Sequence, residues 1–226
     1  TPVIPKGLMW REIFELSRPK NVVLAAITVP LGAHLALSGA WTVQALGLVA
    51  LQTTSAICFM AAGNTFNDIA DVSIDKKAKP HKPIPSERIS IEQATKVAYA
   101  FSLFSAAIMA VGAYLADEPL PIVAIWTLAA LLMYTYDAGI KTKQMGLVGN
   151  IAISLMVGAV IVFGAASVSK AETELVLYAS VVAFFANLAR EIIKDCEDME
   201  TDEGRKTLPM RIGLMNARAV AYVFIL

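Results

Sequence analysis

Three aspartates and two asparagines close an apolar run that extends from Ala45 to Phe66: Asn64, Asn67, Asp68, Asp71 and Asp75. On a helix of about 3.6 residues per turn, Asp68, Asp71 and Asp75 stand at i, i+3 and i+7 and share one face. Oxygen-bearing side chains at the end of an apolar helix are costly unless positive charge neutralises them. Hard cations such as Mg²⁺ take such ligands. The stretch therefore reads as a site for a cation, or a cation with a diphosphate, at a membrane boundary.

The spacing recurs. Asp195, Asp198 and Asp202 follow the apolar segment Leu175–Ala189, and the two triplets are offset by a constant 127 residues (68 to 195, 71 to 198, 75 to 202). One triplet could be a solvated helix end. Two with one spacing, each behind a hydrophobic helix, point to a shared functional site, because ionisable clusters flanking membrane spans are expensive. An internal duplication of a four-helix unit is expected, with the site between the halves.

The elements that must position these groups are transmembrane helices. Of the 226 residues, 57% are hydrophobic and 17% charged, and the mean hydropathy is +0.61, which excludes an ordinary soluble domain. Spans are expected at about Asn21–Leu37 (kinked at Pro30), Val43–Phe66, Ala94–Leu115, Leu120–Tyr136, Leu147–Val168 and Leu175–Ile193. A seventh segment starts near Ala217 and reaches Leu226, too short to cross, so the chain is expected to stop within a span. Residues 6–20 mix apolar and charged positions and read as an amphipathic helix on the membrane surface. No cleavable signal peptide is expected. Asp68–Lys96 reads as a long polar loop, functional by its length.

Lysine and arginine set the orientation. All but Lys170 of the 19 fall on the side that holds the N-terminus and both aspartate triplets. The positive-inside rule makes that side cytoplasmic. Three stretches then converge there: Asn67 to Arg88; Tyr134 to Lys143; and Lys194 to Lys206. Carboxylates interleaved with basic residues suit a metal bridged to a polyanion, although cytoplasmic loops are rich in lysine for topological reasons alone. Cys58 and Cys196 form no metal or disulfide pattern, His34 and His81 are isolated, and no nucleic-acid partner is expected.

Asn67–Asp68–x–x–Asp71–x–x–x–Asp75, followed by Lys79–Pro80–His81–Lys82–Pro83–Ile84–Pro85–Ser86, resembles the first signature of the UbiA superfamily of intramembrane prenyltransferases. Asp198–x–x–x–Asp202, preceded by Arg190–Glu191–Ile192–Ile193–Lys194–Asp195, resembles the second, and Tyr136 through Lys141 with Gly149–Asn150 is similar to a further family segment. Glu87 departs from the pattern, where many members have glycine. The resemblance implies a single all-α transmembrane helix bundle over 1–226, nine spans in the family and the last ones beyond this chain. It implies Mg²⁺ held against the diphosphate of a prenyl donor by Asn67, Asp68, Asp71, Asp75, Asp195, Asp198 and Asp202. Asp68, Asp71, Asp198 and Lys141 are the implied catalytic groups, with Asp68 also the candidate base for the acceptor. Arg18, Lys82, Tyr136, Lys141 and Lys194 are the implied diphosphate contacts. Arg18–Pro19–Lys20–Asn21 and the run Arg190 to Asp198 look most like the archaeal lipid branch, whose members transfer a geranylgeranyl group to geranylgeranylglyceryl phosphate. Partners would be a prenyl diphosphate, a lipophilic acceptor and membrane lipid. The alternatives are prenylation of an aromatic quinone precursor by the same chemistry and, in a different class, a cation transporter. A transporter's carboxylates are expected near the bilayer midplane on broken helices, whereas these lie at helix ends.

Overall fold

A computed structural model describes residues 6–137, 141–171, 173–199 and 206–226, with side chains from Trp10 onward. Among them there are ten α-helices: α1 (Lys6–Ser17), α2 (Pro19–Leu37), α3 (Val43–Ala70), α4 (Val72–Ala78), α5 (Ile91–Leu115), α6 (Pro119–Asp137), α7 (Leu147–Ala166), α8 (Glu174–Glu197), α9 (Leu208–Ile212) and α10 (Leu214–Ile225). A 3₁₀ turn, Thr142–Met145, precedes α7. Six helices (α2, α3, α5, α6, α7 and α8) are long and apolar enough to cross a membrane, at the six expected places. They expose large apolar side chains such as Leu103, Leu128, Leu131 and Val182, as a lipid-facing bundle must.

The helices alternate in direction. The C-terminal ends of α3, α6 and α8 therefore share one end of the bundle with the N-terminal ends of α2, α5 and α7. Small and hydroxylated residues let them close up. Ser55 of α3 and Ser105 of α5 each donate to the other's carbonyl at 2.9 Å. Gly32 of α2 lies so near α7 that a side-chain carbon there would sit 2.0 Å from the Ile161 carbonyl oxygen. Pro30 is carried within α2, which continues to Leu37.

Three expectations change. The first aspartate triplet does not share one continuous helix: α3 ends at Ala70, Asp71 sits in the break with φ −93° and ψ 5°, and α4 starts at Val72. Nor is Asp68–Lys96 mostly loop. Helix α4 fills its start, and Ser90 starts α5 through a capping box with Gln93 (3.1 Å to the Gln93 N–H, 3.0 Å in return), so only residues 79–90 connect the two. That connection is packed: Ile84 and Ile89 are buried with Leu16 of α1 and Ala94 of α5. Helix α1 is amphipathic in an unexpected sense. Leu16 and Glu12 are 0% and 1% exposed against that connection, while Trp10 and Phe14, one turn apart, are 73% and 63% exposed. One oxygen of the buried acid, Glu12 Oε1, accepts from Arg88 of the connection, while Oε2 is buried with no hydrogen-bond partner among the described residues.

Candidate functional site

Asp68 and Asp75 are 4% and 5% exposed at the junction of α3 and α4, and cations brought from elsewhere in the chain meet them there. Arg18 occupies the bend between α1 and α2 with φ 51° and ψ 75°, a left-handed conformation that points the chain back over the end of α3. Its guanidinium donates to Asn67 Oδ1 at 3.1 Å and also to Asp68 Oδ1. Beside it, Asn64 Nδ2 donates to the Ser17 carbonyl at 2.8 Å, and Asn21 Nδ2 donates to Asn64 Oδ1 at 3.3 Å. These bonds lock the start of α2 to α3.

Lys82 arrives from the 79–90 connection. Its ammonium donates to Asp68 Oδ1 at 3.0 Å and to Asp75 Oδ2 at 2.6 Å, so one lysine joins two aspartates that the helix break would otherwise set apart.

Lys143 arrives from the 3₁₀ turn before α7. It donates to Asp71 Oδ2, lies 3.5 Å from Asp137 Oδ1, and stands 5.9 Å from the centre of the Tyr136 ring, within reach of a cation–π contact. Asn67 Nδ2 donates to Asp137 Oδ1 at 3.1 Å, which closes the ring of contacts. Lys143 and Asp137 are the functional candidates that the spacing of the sequence does not single out. Both lie in the Tyr134–Lys143 stretch, but their pairing with Asp71 depends on the fold. Lys141, two residues away, is exposed with φ 53° and is not drawn into the cluster.

The second triplet lies at the same end of the bundle. Asn150, in the first turn of α7, donates to Asp195 Oδ2 at 2.8 Å. Asp198 is the residue that ends α8, and its N–H donates to the Lys194 carbonyl at 2.9 Å. The Lys194 ammonium lies 3.6 Å from Glu191, beside an open groove of about 360 Å³ lined by Ala186, Arg190, Ile193, Glu197 and Ile225. Arg190 also pairs with Glu191, at 2.6 Å. Asp202 lies outside the described residues.

The connection between α6 and α7, together with the first turn of α7, touches both halves of this arrangement. Lys143 holds the first triplet, Asn150 holds Asp195, and the chain after α8 rests on the same turn: the Lys206 N–H donates to the Gln144 carbonyl at 3.5 Å. Gly146, with φ 62°, permits that approach, since a side-chain carbon there would lie 2.2 Å from the Lys206 carbonyl oxygen.

Among the described residues no three of His, Cys, Asp and Glu are already gathered as a metal cage. The donor set still suits Mg²⁺. Asn67, Asp68, Asp71 and Asp75 offer only hard oxygens, and the carboxylates are already matched by Arg18, Lys82 and Lys143, so this end of the bundle is built to hold positive charge.

A sequence model of the UbiA prenyltransferase family matches residues 23–226. The digeranylgeranylglyceryl phosphate synthase of Pyrococcus abyssi is 34% identical over 217 residues, covering 95% of this chain and 73% of the relative. A solved structure of a digeranylgeranylglyceryl phosphate synthase superposes with a TM-score of 0.77 at 26% identity, over 95% of this chain and 73% of that one. A UbiA homolog from Archaeoglobus fulgidus, solved with DMAPP and Mg²⁺, superposes with a TM-score of 0.70 over 94% of this chain and 73% of that one; at 20% identity this likeness concerns the fold.

Proposed function

The chain belongs to the UbiA prenyltransferase family, and from that premise we propose that it transfers a geranylgeranyl group from its diphosphate to geranylgeranylglyceryl phosphate, with Mg²⁺. The enzyme is an integral membrane prenyltransferase. The acceptor and donor are inferred from the relatives' names, and the reaction face is taken as cytoplasmic from the distribution of lysine and arginine.

The single observation that carries the reading is the pairing of Asp68, Asp71 and Asp75 with Arg18, Lys82 and Lys143. Carboxylates and cations in direct contact can exchange partners when a diphosphate arrives. Asn67, Asp68, Asp71 and Asp75 would hold Mg²⁺ on one side, with Asp195, Asp198 and Asp202 supplying the other. Lys82, Lys143 and Arg18 would turn from their carboxylates to phosphate oxygens, joined by Tyr136 and by Lys141 and Lys194 from the periphery. Bound Mg²⁺ would neutralise the charge that grows on the diphosphate as the allylic C–O bond breaks. Packed residues of the 79–90 connection keep water from that bond, and apolar helix faces accept the isoprenoid tail from the bilayer. Asp68 Oδ1 already accepts from two cations, which suits it to holding charge.

The test is purified protein with Mg²⁺, geranylgeranyl diphosphate and a panel of acceptors that includes geranylgeranylglyceryl phosphate and 4-hydroxybenzoate, with products identified by mass spectrometry. The expected product is the digeranylgeranyl ether of glyceryl phosphate. Transfer only to the aromatic acceptor would move the chain to quinone chemistry. Transport of a cation into liposomes without prenyl transfer would contradict the reading.

A further inference from the structure

Arg88 touches none of the aspartates, yet it has the most completely used side chain in the connection that delivers Lys82. Its Nη1 donates to Glu12 Oε1 at 3.0 Å and to Glu15 Oε2 at 2.9 Å, and Nη2 donates to Glu15 Oε1 at 3.1 Å, a two-pronged grip on one carboxylate of α1. The same Nη2 donates to the carbonyl of His81 at 2.8 Å, and Nε donates to Ser86 Oγ at 3.1 Å. His81 is the residue immediately before Lys82. The guanidinium therefore ties α1 to the backbone next to the lysine that bridges Asp68 and Asp75. The hydrogen bond to Glu15 raises the already high pKa of Arg88, so the guanidinium keeps its charge across any ordinary assay pH.

The segment needs such a tie. Residues 79–90 hold three prolines and only short-range backbone bonds, among them Lys82 N–H to the Lys79 carbonyl and Ser86 N–H to the Lys82 carbonyl. Glu87 sits in the left-handed region at φ 60°, where a residue with a side chain is strained. Glu12, at 1% exposed, is a buried carboxylate that would be costly without its arginine. Burial of Ile84 and Ile89 against Leu16 anchors the segment, but apolar contacts do not fix the direction of one ammonium group as a forked charge-assisted bond does.

We propose that Arg88 is a positioning residue for the reaction: gripped by Glu12 and Glu15 of α1, it holds the His81 carbonyl so that Lys82 stays aimed at Asp68 and Asp75, where the donor's diphosphate is handled. This rests on the prenyl-transfer reading for its catalytic consequences, but its geometry can be tested without turnover.

The experiment compares wild type with Arg88→Met and Arg88→Lys in detergent. One readout is the rate at which Lys82 is modified by an amine-reactive acetylating reagent, followed by peptide mass spectrometry. The others are KM for geranylgeranyl diphosphate, kcat, and the ratio of hydrolysed to transferred donor. Losing hydrogen bonds to charged groups should raise the Lys82 labelling rate and the donor KM of Arg88→Met about tenfold. It should change kcat less and shift product toward hydrolysis. Arg88→Lys should recover part of each effect, since it keeps the charge and loses the fork. If Arg88→Met does not fold, Glu15→Gln, at a half-exposed partner, should give the same shifts at about two- to threefold. Folded variants with unchanged Lys82 labelling and unchanged donor KM would overturn the proposal, even with a lowered melting temperature, because Arg88 would then be a staple of the fold alone. A wild type that transfers no prenyl group would refute the prenyl-transfer reading instead, and Lys82 labelling would still decide the role of Arg88.

Discussion

Helices α3 and α8 end alike. Ala70 and Glu197 are their last residues, and the aspartates that follow, Asp71 and Asp198, have φ and ψ of −93° and 5° and of −88° and 4°. Each N–H donates to the carbonyl four residues back, on Asn67 and on Lys194. The backbone repeats; the surroundings do not. At the α3 end, Arg18, Lys82 and Lys143 come from three separate segments to meet Asp68, Asp71 and Asp75. At the α8 end, Asp195 accepts from a neutral amide, Asn150, while Arg190 and Lys194 pair with Glu191 on their own helix. One backbone device thus serves two ends. At the first, cations that a diphosphate could recruit already sit on the aspartates; at the second, two basic side chains of the described residues are engaged with a glutamate.

Metal removal should have the largest effect if both ends hold it. EDTA should lower prenyl transfer by at least about a hundredfold, the scale of losing a principal charge stabiliser, and added Mg²⁺ should restore it. Full turnover in EDTA, followed by product mass spectrometry, would break the pairing of the two ends.

Lys143 sharpens the contrast. Replacing it with Met leaves Asp71 and Asp137 facing one another without their shared cation, at side chains 18% and 9% exposed. A loss of roughly 3 kcal/mol or more in stability or donor binding is expected from breaking such a buried pair. Lys141→Met, at an exposed position, should cost much less. Equal donor KM values for the two variants would mean that the contacts of Lys143 are incidental.

At the α8 end, Lys194→Ala removes an exposed pair, for which about 0–1 kcal/mol is expected. Donor KM should change by less than about fivefold. A larger change would show that Lys194 is a principal contact of the diphosphate and not a peripheral one.

The smallest effect concerns Glu87. Glycine pays no penalty at φ 60°, so Glu87→Gly should stabilise the protein by about 1 kcal/mol, seen as a higher melting temperature in detergent. A lower one would mean that the Glu87 side chain contributes something beyond its strained backbone.

How far the sequence reaches is set by the range of the interactions involved. Hydropathy located all six helices long and apolar enough to cross a membrane, and the spacing of aspartates marked the two helix ends proposed as the site, because these patterns are local. The break at Asp71 has no glycine or proline to announce it; Asp71 ends one helix and begins another while its carboxylate is held by Lys143 from 72 residues away. That Lys143 and not Lys141 contacts Asp71 depends on the turn between α6 and α7. Glu12 was legible only as part of a polar face. Its burial follows from Arg88, whose position depends on the packing of Ile84 and Ile89 against Leu16.

If the two ends hold one metal–diphosphate assembly, they must act as a unit in binding the donor. The decisive experiment is a double-mutant cycle on Mg²⁺-dependent binding of geranylgeranyl diphosphate, measured by titration calorimetry on wild type, Asp71→Ala, Asp198→Ala and the double variant. Groups that act as a unit are not additive. Each single variant should therefore lose the Mg²⁺-dependent binding, and the double variant should be little worse than either. Independent, additive losses, or donor binding that Mg²⁺ does not strengthen even in the wild type, would contradict the account.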